Sequence, residues 1–107
     1  MLKTLKFVAP LPELILAGKK TSTWRLNDEK NIIVNDELSL CDAGGKEFAR
    51  AKVIEVLFSK LGSLDSQEKE GHESYASEQE MYDTFSKFYN LPVGPATEVK
   101  IIKFKLL

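Results

Sequence analysis

Hydrophobic and polar residues alternate along five segments of the chain, and this pattern predicts five β-strands. The segments are residues 2–8, 21–26, 36–42, 47–58 and 98–106. The first alternates loosely and precedes two prolines, so we expect it at an edge or end of the sheet. The last is apolar on both faces, which favours a central strand.

The longest of these segments, residues 47–58, carries small residues on its predicted inner face. Small inward side chains let backbones approach closely, as in a tightly curved barrel. The glycine pair before this segment predicts a hairpin turn. The residues predicted to point inward together are Ala49, Ala51, Val53 and Leu57.

Two further segments have the periodicity of helices. Residues 11–17 form about two turns, and Gly18 follows at the position of a left-handed C-cap. Residues 77–88 form the second helix, with Ser77 and Glu80 at the spacing of a capping box. We expect the first helix to plug one end of a barrel and the second to pack outside it. The positions predicted to form the buried face of the second helix are Met81, Phe85, Phe88 and Tyr89.

The order of these elements predicts an α+β fold over residues 1–107. Strands that follow one another, interrupted by helices, are typical of a small mixed β-barrel and not of a doubly wound sheet. We therefore predict one domain with a barrel of about five or six strands and two helices.

The charge of the chain is small and unevenly distributed. The net charge is -1, yet residues 65–83 hold seven acids and one base. A balance near neutrality argues against strong, sequence-blind binding to nucleic acid. The acidic segment is either a solvated surface or the contact surface of a regulatory interaction domain, and the sequence leaves both open.

The composition also limits the compartment and the cofactors. No apolar run approaches the ~20 residues that span a bilayer, and the first residues lack the features of a signal peptide. Cys41 is the single cysteine, and His72, the single histidine, has no partners at metal-ligand spacing. We predict a cytoplasmic monomer that contacts no membrane and holds neither a metal nor a cofactor.

Residues 18–25 are the segment richest in chemical groups. Two lysines, three hydroxyls and an arginine lie within eight residues. Strand alternation places Thr21, Thr23 and Arg25 on one face and Trp24 on the other, where core packing is favoured over stacking on a base. Lys20 is then an anion-binding, catalytic or merely solvated lysine. For Arg25, an anion fork and a salt bridge inside the barrel are equally compatible with the sequence.

The spacing Gly18-x-Lys20-x-x-x-x-Arg25 resembles the signature of ASCH domains, which are small β-barrels related to the PUA fold of RNA-modifying proteins. The resemblance extends to Gly71-His72-Glu73 and to the last apolar strand. It implies a cleft that binds RNA or a modified nucleoside. The residues that it implies for binding are Gly18, Lys19, Lys20, Thr21, Arg25 and His72.

One branch of that family is similar in a further respect. Bacterial amidohydrolases that remove acetyl from N(4)-acetylcytidine use a lysine, a threonine three residues later and a downstream glutamate. Lys20 and Thr23 match that spacing, and Glu73 is the glutamate that we select among several acids because it lies just before the second helix. The resemblance thus implies either a hydrolase or a non-catalytic binding module, and activity stays open at this point.

Overall fold

The computed structural model describes residues 2–107, which form five strands and three α-helices. In chain order the elements are β1 (Leu2–Phe7), α1 (Leu11–Leu16), β2 (Ser22–Arg25), β3 (Glu37–Asp42), β4 (Glu47–Lys60), a 3-10 turn (Leu61–Ser63), α2 (Ser66–Lys69), α3 (Glu78–Tyr89) and β5 (Glu98–Leu106). The predicted α+β class is confirmed. The side chain of Asp65 caps the short helix α2 by accepting the backbone N–H of Glu68.

The five strands form one mixed sheet in the order β1-β3-β4-β5-β2. β1 pairs with β3 in parallel, and every other neighbouring pair is antiparallel. The sheet curls into a half-barrel whose two end strands, β1 and β2, are not paired with each other. The predicted edge position of β1 and the inner position of β5 are both confirmed.

One hydrophobic cluster fills the face of the sheet that α1 covers. Ile15 of α1 is 1% exposed and packs against this cluster. The fully buried members from the strands include Leu38, Leu40, Ala51 and Ile102. Gly18 follows α1 with φ +75°, so the predicted left-handed residue at the end of this helix is confirmed.

A second hydrophobic cluster lies between β2, β5 and α3. Trp24 is 5% exposed and belongs to it, which confirms the predicted inward position of this side chain. Ser77 accepts the backbone N–H of Glu80, so α3 begins where the sequence predicts. The prediction for Phe88 was wrong: this residue is 61% exposed, since it lies beyond the rim of the cluster.

β4 serves both clusters because it contains a bulge. The register with β5 shifts between Val53 and Glu55, so one residue no longer has a partner. Val56 then packs with the first cluster and Leu57 with the second. The predicted shared face of Val53 and Leu57 was therefore wrong, since the bulge reverses the alternation.

Candidate functional site

The edge strand β2 is held beside the segment that precedes α3. The carbonyl of Gly71 accepts the backbone N–H of Thr21 at 2.8 Å and that of Ser22 at 3.1 Å. Gly71 has φ +80°, and a Cβ there would come within 2.1 Å of the Thr21 hydroxyl. A glycine is thus required at this contact, which brings residues 72 and 73 next to the start of β2.

Lys20 and Glu73 form a close ion pair at this junction. Lys20 is 2% exposed, and its Nζ lies 2.6 Å from Glu73 Oε2. Burial lowers the pKa of the Lys20 ammonium and Arg25 adds to this effect, whereas Glu73 opposes it. Burial alone would raise the pKa of Glu73, but His72 and Lys20 reverse this and hold it below its ordinary value.

His72 completes a chain of three titratable side chains. Its Nε2 lies 3.4 Å from Glu73 Oε1, and its ring stacks on Trp24 with centroids 3.7 Å apart. Burial lowers the pKa of the imidazole to about 4, and the charge of Lys20 acts in the same direction. The ring is therefore neutral near pH 7, so that Lys20 is the cation that faces Glu73.

Thr23 lies in the middle of β2 and is 5% exposed. Its hydroxyl has no hydrogen-bond partner among residues 2–107, and no hydrogen bond joins it to Lys20 there. Both side chains nevertheless border the same cavity of about 140 Å³. A ligand in the cavity can thus receive a hydrogen bond from this hydroxyl without displacing one within the protein.

Arg25 borders the cavity from the end of β2. Its guanidinium lies 5.4 Å from the centre of the Phe7 ring, which belongs to the opposite end strand β1. Its Nε is buried without a hydrogen-bond partner among the described residues. The salt bridge inside the barrel that the sequence allowed is absent from that part of the chain, and Phe7 takes its place as the neighbour of the cation.

The cavity brings together five of the residues that the sequence singled out. They are Lys20, Thr23, Arg25, His72 and Glu73. Gly18, Lys19 and Thr21 do not border it. Gly18 ends the turn after α1, and the Thr21 side chain lies against Gly71.

Aromatic residues from α3 and the segment before it form the remaining wall. Phe85, Phe88 and Tyr89 border the cavity from α3, and Tyr75 borders it from the preceding segment. Burial raises the pKa of the Tyr75 hydroxyl, and Glu73 adds to this, so the ring stays neutral. The helical spacing of Phe85, Phe88 and Tyr89, which predicts one face of the second helix, was the sequence signal for this wall.

Two absences bear on the chemistry of residues 2–107. No group of three or more His, Cys, Asp or Glu side chains is arranged to hold a metal ion in this part of the chain. No helix of the same residues is both long and apolar enough to cross a membrane.

Comparisons with known proteins find similarity in structure. A scan against protein-family models gives no match, and a search of curated proteins gives none either. The fold is similar to that of a hypothetical protein, PH0355, with a TM-score of 0.75, 25% identity and full coverage of both chains.

Two similar structures are described as ASCH proteins. The ASCH domain from Lactobacillus crispatus has a TM-score of 0.73 at 18% identity, covering 98% of this chain and 79% of the other. An ASCH protein from Zymomonas mobilis has a TM-score of 0.69 at 13% identity, covering 97% and 67%. The chain therefore has an ASCH-like fold, as its sequence pattern predicted.

Proposed function

We propose that the protein binds a nucleoside, alone or within RNA, in the cavity bordered by Lys20, Thr23 and Glu73. A volume of about 140 Å³ is below that of sites for drug-sized ligands, so it suits a planar base with a small substituent. Aromatic rings on one side offer stacking, while the Thr23 hydroxyl and the Lys20–Glu73 pair offer hydrogen bonds to a base edge.

The observation that carries this proposal is the composition of one buried corner. An almost fully buried lysine is paired with a carboxylate at 2.6 Å, next to a hydroxyl without a partner. Burying an ion pair costs desolvation free energy. A purely structural pair would offset that cost better with close packing than with a cavity beside it. These groups can form hydrogen bonds with the polar groups of a ligand in the cavity.

A second candidate function is hydrolysis of the acetyl amide of N(4)-acetylcytidine. The lowered pKa of Lys20 increases the fraction of free amine, which is the form that can accept a proton from Thr23. Thr23 Oγ1 would then attack the acetyl carbon and break its bond to N4. Lys20 would pass the proton to the departing amine, so that cytidine leaves and acetyl stays on Thr23.

Water completes this reaction in a second step. Lys20 accepts a proton from the water, and the hydroxide attacks the acetyl ester and breaks its bond to Thr23 Oγ1. Lys20 then returns the proton to Thr23 Oγ1, and acetic acid is released. Glu73 keeps the Lys20 amine directed toward the cavity in both steps. The atoms balance with water as the one additional reactant.

Purified protein incubated with N(4)-acetylcytidine tests both candidates, with cytidine and acetate quantified by chromatography. We expect turnover in the wild type and none in Thr23→Ala. Lys20→Arg should also be inactive, because arginine keeps the charge but does not release a proton near pH 7. Matched controls are Thr4→Ala and Lys52→Arg, whose side chains are exposed on β1 and β4.

Binding without turnover separates the two candidates. Calorimetric titration with the nucleoside should show saturable binding that Lys20→Ala weakens. Binding with no product would leave the protein a binding module and reject the hydrolase. No binding of the nucleoside to the wild type would reject both.

A further inference from the structure

A second cavity, of about 680 Å³, lies beside the first, and Arg25 borders both. In the sheet, Arg25 of β2 is paired with Lys100 of β5, and Lys100 is paired with Phe58 of β4. The three side chains thus form one row across neighbouring strands. Thr23 stands two residues before Arg25, on the same face and about 7 Å away. The second cavity, called the Phe58 groove below, therefore continues the first along the sheet.

Phe58 is the most exposed aromatic side chain among residues 2–107, at 75%. The Nζ of Lys100 lies 5.8 Å from the centre of its ring, which restricts the ring by a cation–π contact. The bulge in β4 precedes Phe58 and reverses the alternation, so the side chain faces the groove and not a hydrophobic cluster. An exposed, oriented ring at the edge of a groove is a surface on which a base can stack.

The floor of the groove is an ion pair that is complete within the protein. Lys100 Nζ lies 2.7 Å from Asp28 Oδ2, and the same oxygen accepts the N–H of Ile32 at 2.9 Å. Two cations of the groove have no carboxylate partner among the described residues: Arg25, whose Nη2 donates to the carbonyl of Lys6 while its Nε has no partner, and the exposed Lys60. The groove carries three cations and two carboxylates, the second being Glu98, on a protein whose net charge is -1.

We infer that the Phe58 groove binds the nucleotide adjacent to the one in the cavity, so that the ligand is a single-stranded RNA segment. This inference rests on the proposed binding of a nucleoside beside Lys20. Phe58 stacks on the neighbouring base, and Arg25, which borders both cavities, contacts the phosphate that joins the two nucleotides. Few phosphates are neutralised, so the affinity depends only weakly on salt.

The test compares two ligands, free N(4)-acetylcytidine and a short single-stranded oligoribonucleotide that contains it. Binding is measured by calorimetry with wild-type protein and with Thr23→Ala, which would not consume the ligand. We expect the oligoribonucleotide to bind more tightly than the nucleoside. Phe58→Ala should weaken the affinity for the oligoribonucleotide by roughly 5- to 100-fold and leave the affinity for the nucleoside unchanged.

Three further variants define what Phe58 contributes. Phe58→Trp should retain the added affinity because it keeps an aromatic face, whereas Phe58→Leu should lose it although it is still apolar. Ile33→Ala is the matched control, since Ile33 is 54% exposed and borders neither cavity. Phe58 is exposed, so its substitution should leave the fold intact.

The possible failures are distinguishable. Equal affinity for the two ligands would overturn this inference and leave the proposed function standing. The same conclusion would follow if Phe58→Ala left the affinity for the oligoribonucleotide unchanged. If Phe58→Ala weakens binding of the oligoribonucleotide and Lys20→Ala does not, the groove would be supported as an RNA-binding surface. The cavity would then be rejected as the nucleoside site. No binding of either ligand would overturn both. A dimer that Phe58→Ala dissociates would show that a second copy of the chain covers the ring instead.

Discussion

Two lysines of the protein are buried and each is paired with a carboxylate, yet the regions around them differ. Lys20 and Lys100 are 2% and 8% exposed, and their distances to the partner oxygen are 2.6 and 2.7 Å. Asp28 also accepts two backbone N–H groups, from Lys30 and Ile32, so its loop is fixed to the sheet. Glu73 instead shares its oxygens between Lys20 and His72.

This difference separates an ion pair that fixes a loop from the pair beside which we propose a ligand site. The pKa of Asp28 stays below its ordinary value, because the bonds to Lys100 and to backbone N–H groups outweigh the effect of burial. Burial lowers the pKa of Lys20 and of the neighbouring His72 imidazole. A buried lysine at salt-bridge distance is therefore not a site by itself; titratable neighbours and an unpartnered hydroxyl distinguish the Lys20 region.

The largest expected effect is on the proposed hydrolysis beside Lys20. Glu73→Gln keeps the shape of the side chain but removes the charge that raises the pKa of Lys20 and directs its amine. We expect kcat for N(4)-acetylcytidine to fall by about 10²-fold or more. The pH–rate profile should shift toward lower pH, since the pKa of Lys20 falls. Glu29→Gln, at an exposed carboxylate, is the control, and a wild-type rate in Glu73→Gln would contradict the distinction between the two regions.

The second effect is on stability, and here the loss should be larger for the Lys100 pair than for the Lys20 pair. Lys100→Met leaves the Asp28 carboxylate buried without its cation, which should cost about 3 kcal/mol of unfolding free energy. Lys20→Met should cost about 1–2 kcal/mol, because Glu73 is 27% exposed and can gain water. Urea unfolding followed by circular dichroism measures both. A larger loss in Lys20→Met would mean that the Lys20 pair, too, is chiefly structural.

The third effect concerns pH and centres on His72, which faces Glu73 in the Lys20 region. The pKa of His72 is about 4 in the folded protein and about 6.5 when unfolded, so between these values the unfolded chain binds the additional proton. Stability should thus decrease as pH falls from about 6.5 to about 4, by at most about 3 kcal/mol, and Glu73 adds a loss of the same sign.

His72→Phe provides the control for this pH dependence. Phenylalanine keeps a ring against Trp24 but does not titrate, so most of the slope between about pH 6.5 and 4 should disappear. Thermal unfolding across this range measures the slope for both proteins. An unchanged slope in His72→Phe would assign the titration to carboxylates and not to His72.

The smallest effect concerns the helix that forms the aromatic wall of the cavity. Ser77→Ala removes the side chain that accepts the Glu80 N–H at the start of α3, which should cost about 1 kcal/mol. Ser66→Ala is the matched control, since Ser66 lies inside α2 and Asp65 is the residue that caps that helix. Differential scanning calorimetry measures both. Equal stability of the two variants would show that packing of Phe85 alone fixes α3.

Features that depend on local chain chemistry could be predicted from the sequence. Gly18 after α1, Ser77 before α3 and the apolar β5 follow from short-range rules of turns, caps and alternation. Trp24 lies in the core because strand alternation holds over the four residues of β2.

Features that depend on distant contacts could not be predicted. The bulge at Ile54 reverses the alternation of β4, and the residue types at this position do not predict a bulge. Thr21 turns away from the cavity because Gly71 lies against it, a contact between residues far apart in sequence. The Lys100–Asp28 pair joins residues 72 positions apart, so neither residue signals the other.

The position of β2 in the sheet has a consequence for folding. β2 pairs only with β5, and the Lys20–Glu73 contact joins residues 53 positions apart, whereas the β3–β4 hairpin is local. Contacts of large sequence separation close long loops and form after local ones. The cavity should therefore be absent while the hairpin alone is formed, and stacking of Trp24 on His72 should appear with the last cooperative step. Ligand binding would then stabilise only fully folded chains, so it would slow unfolding more than it speeds folding.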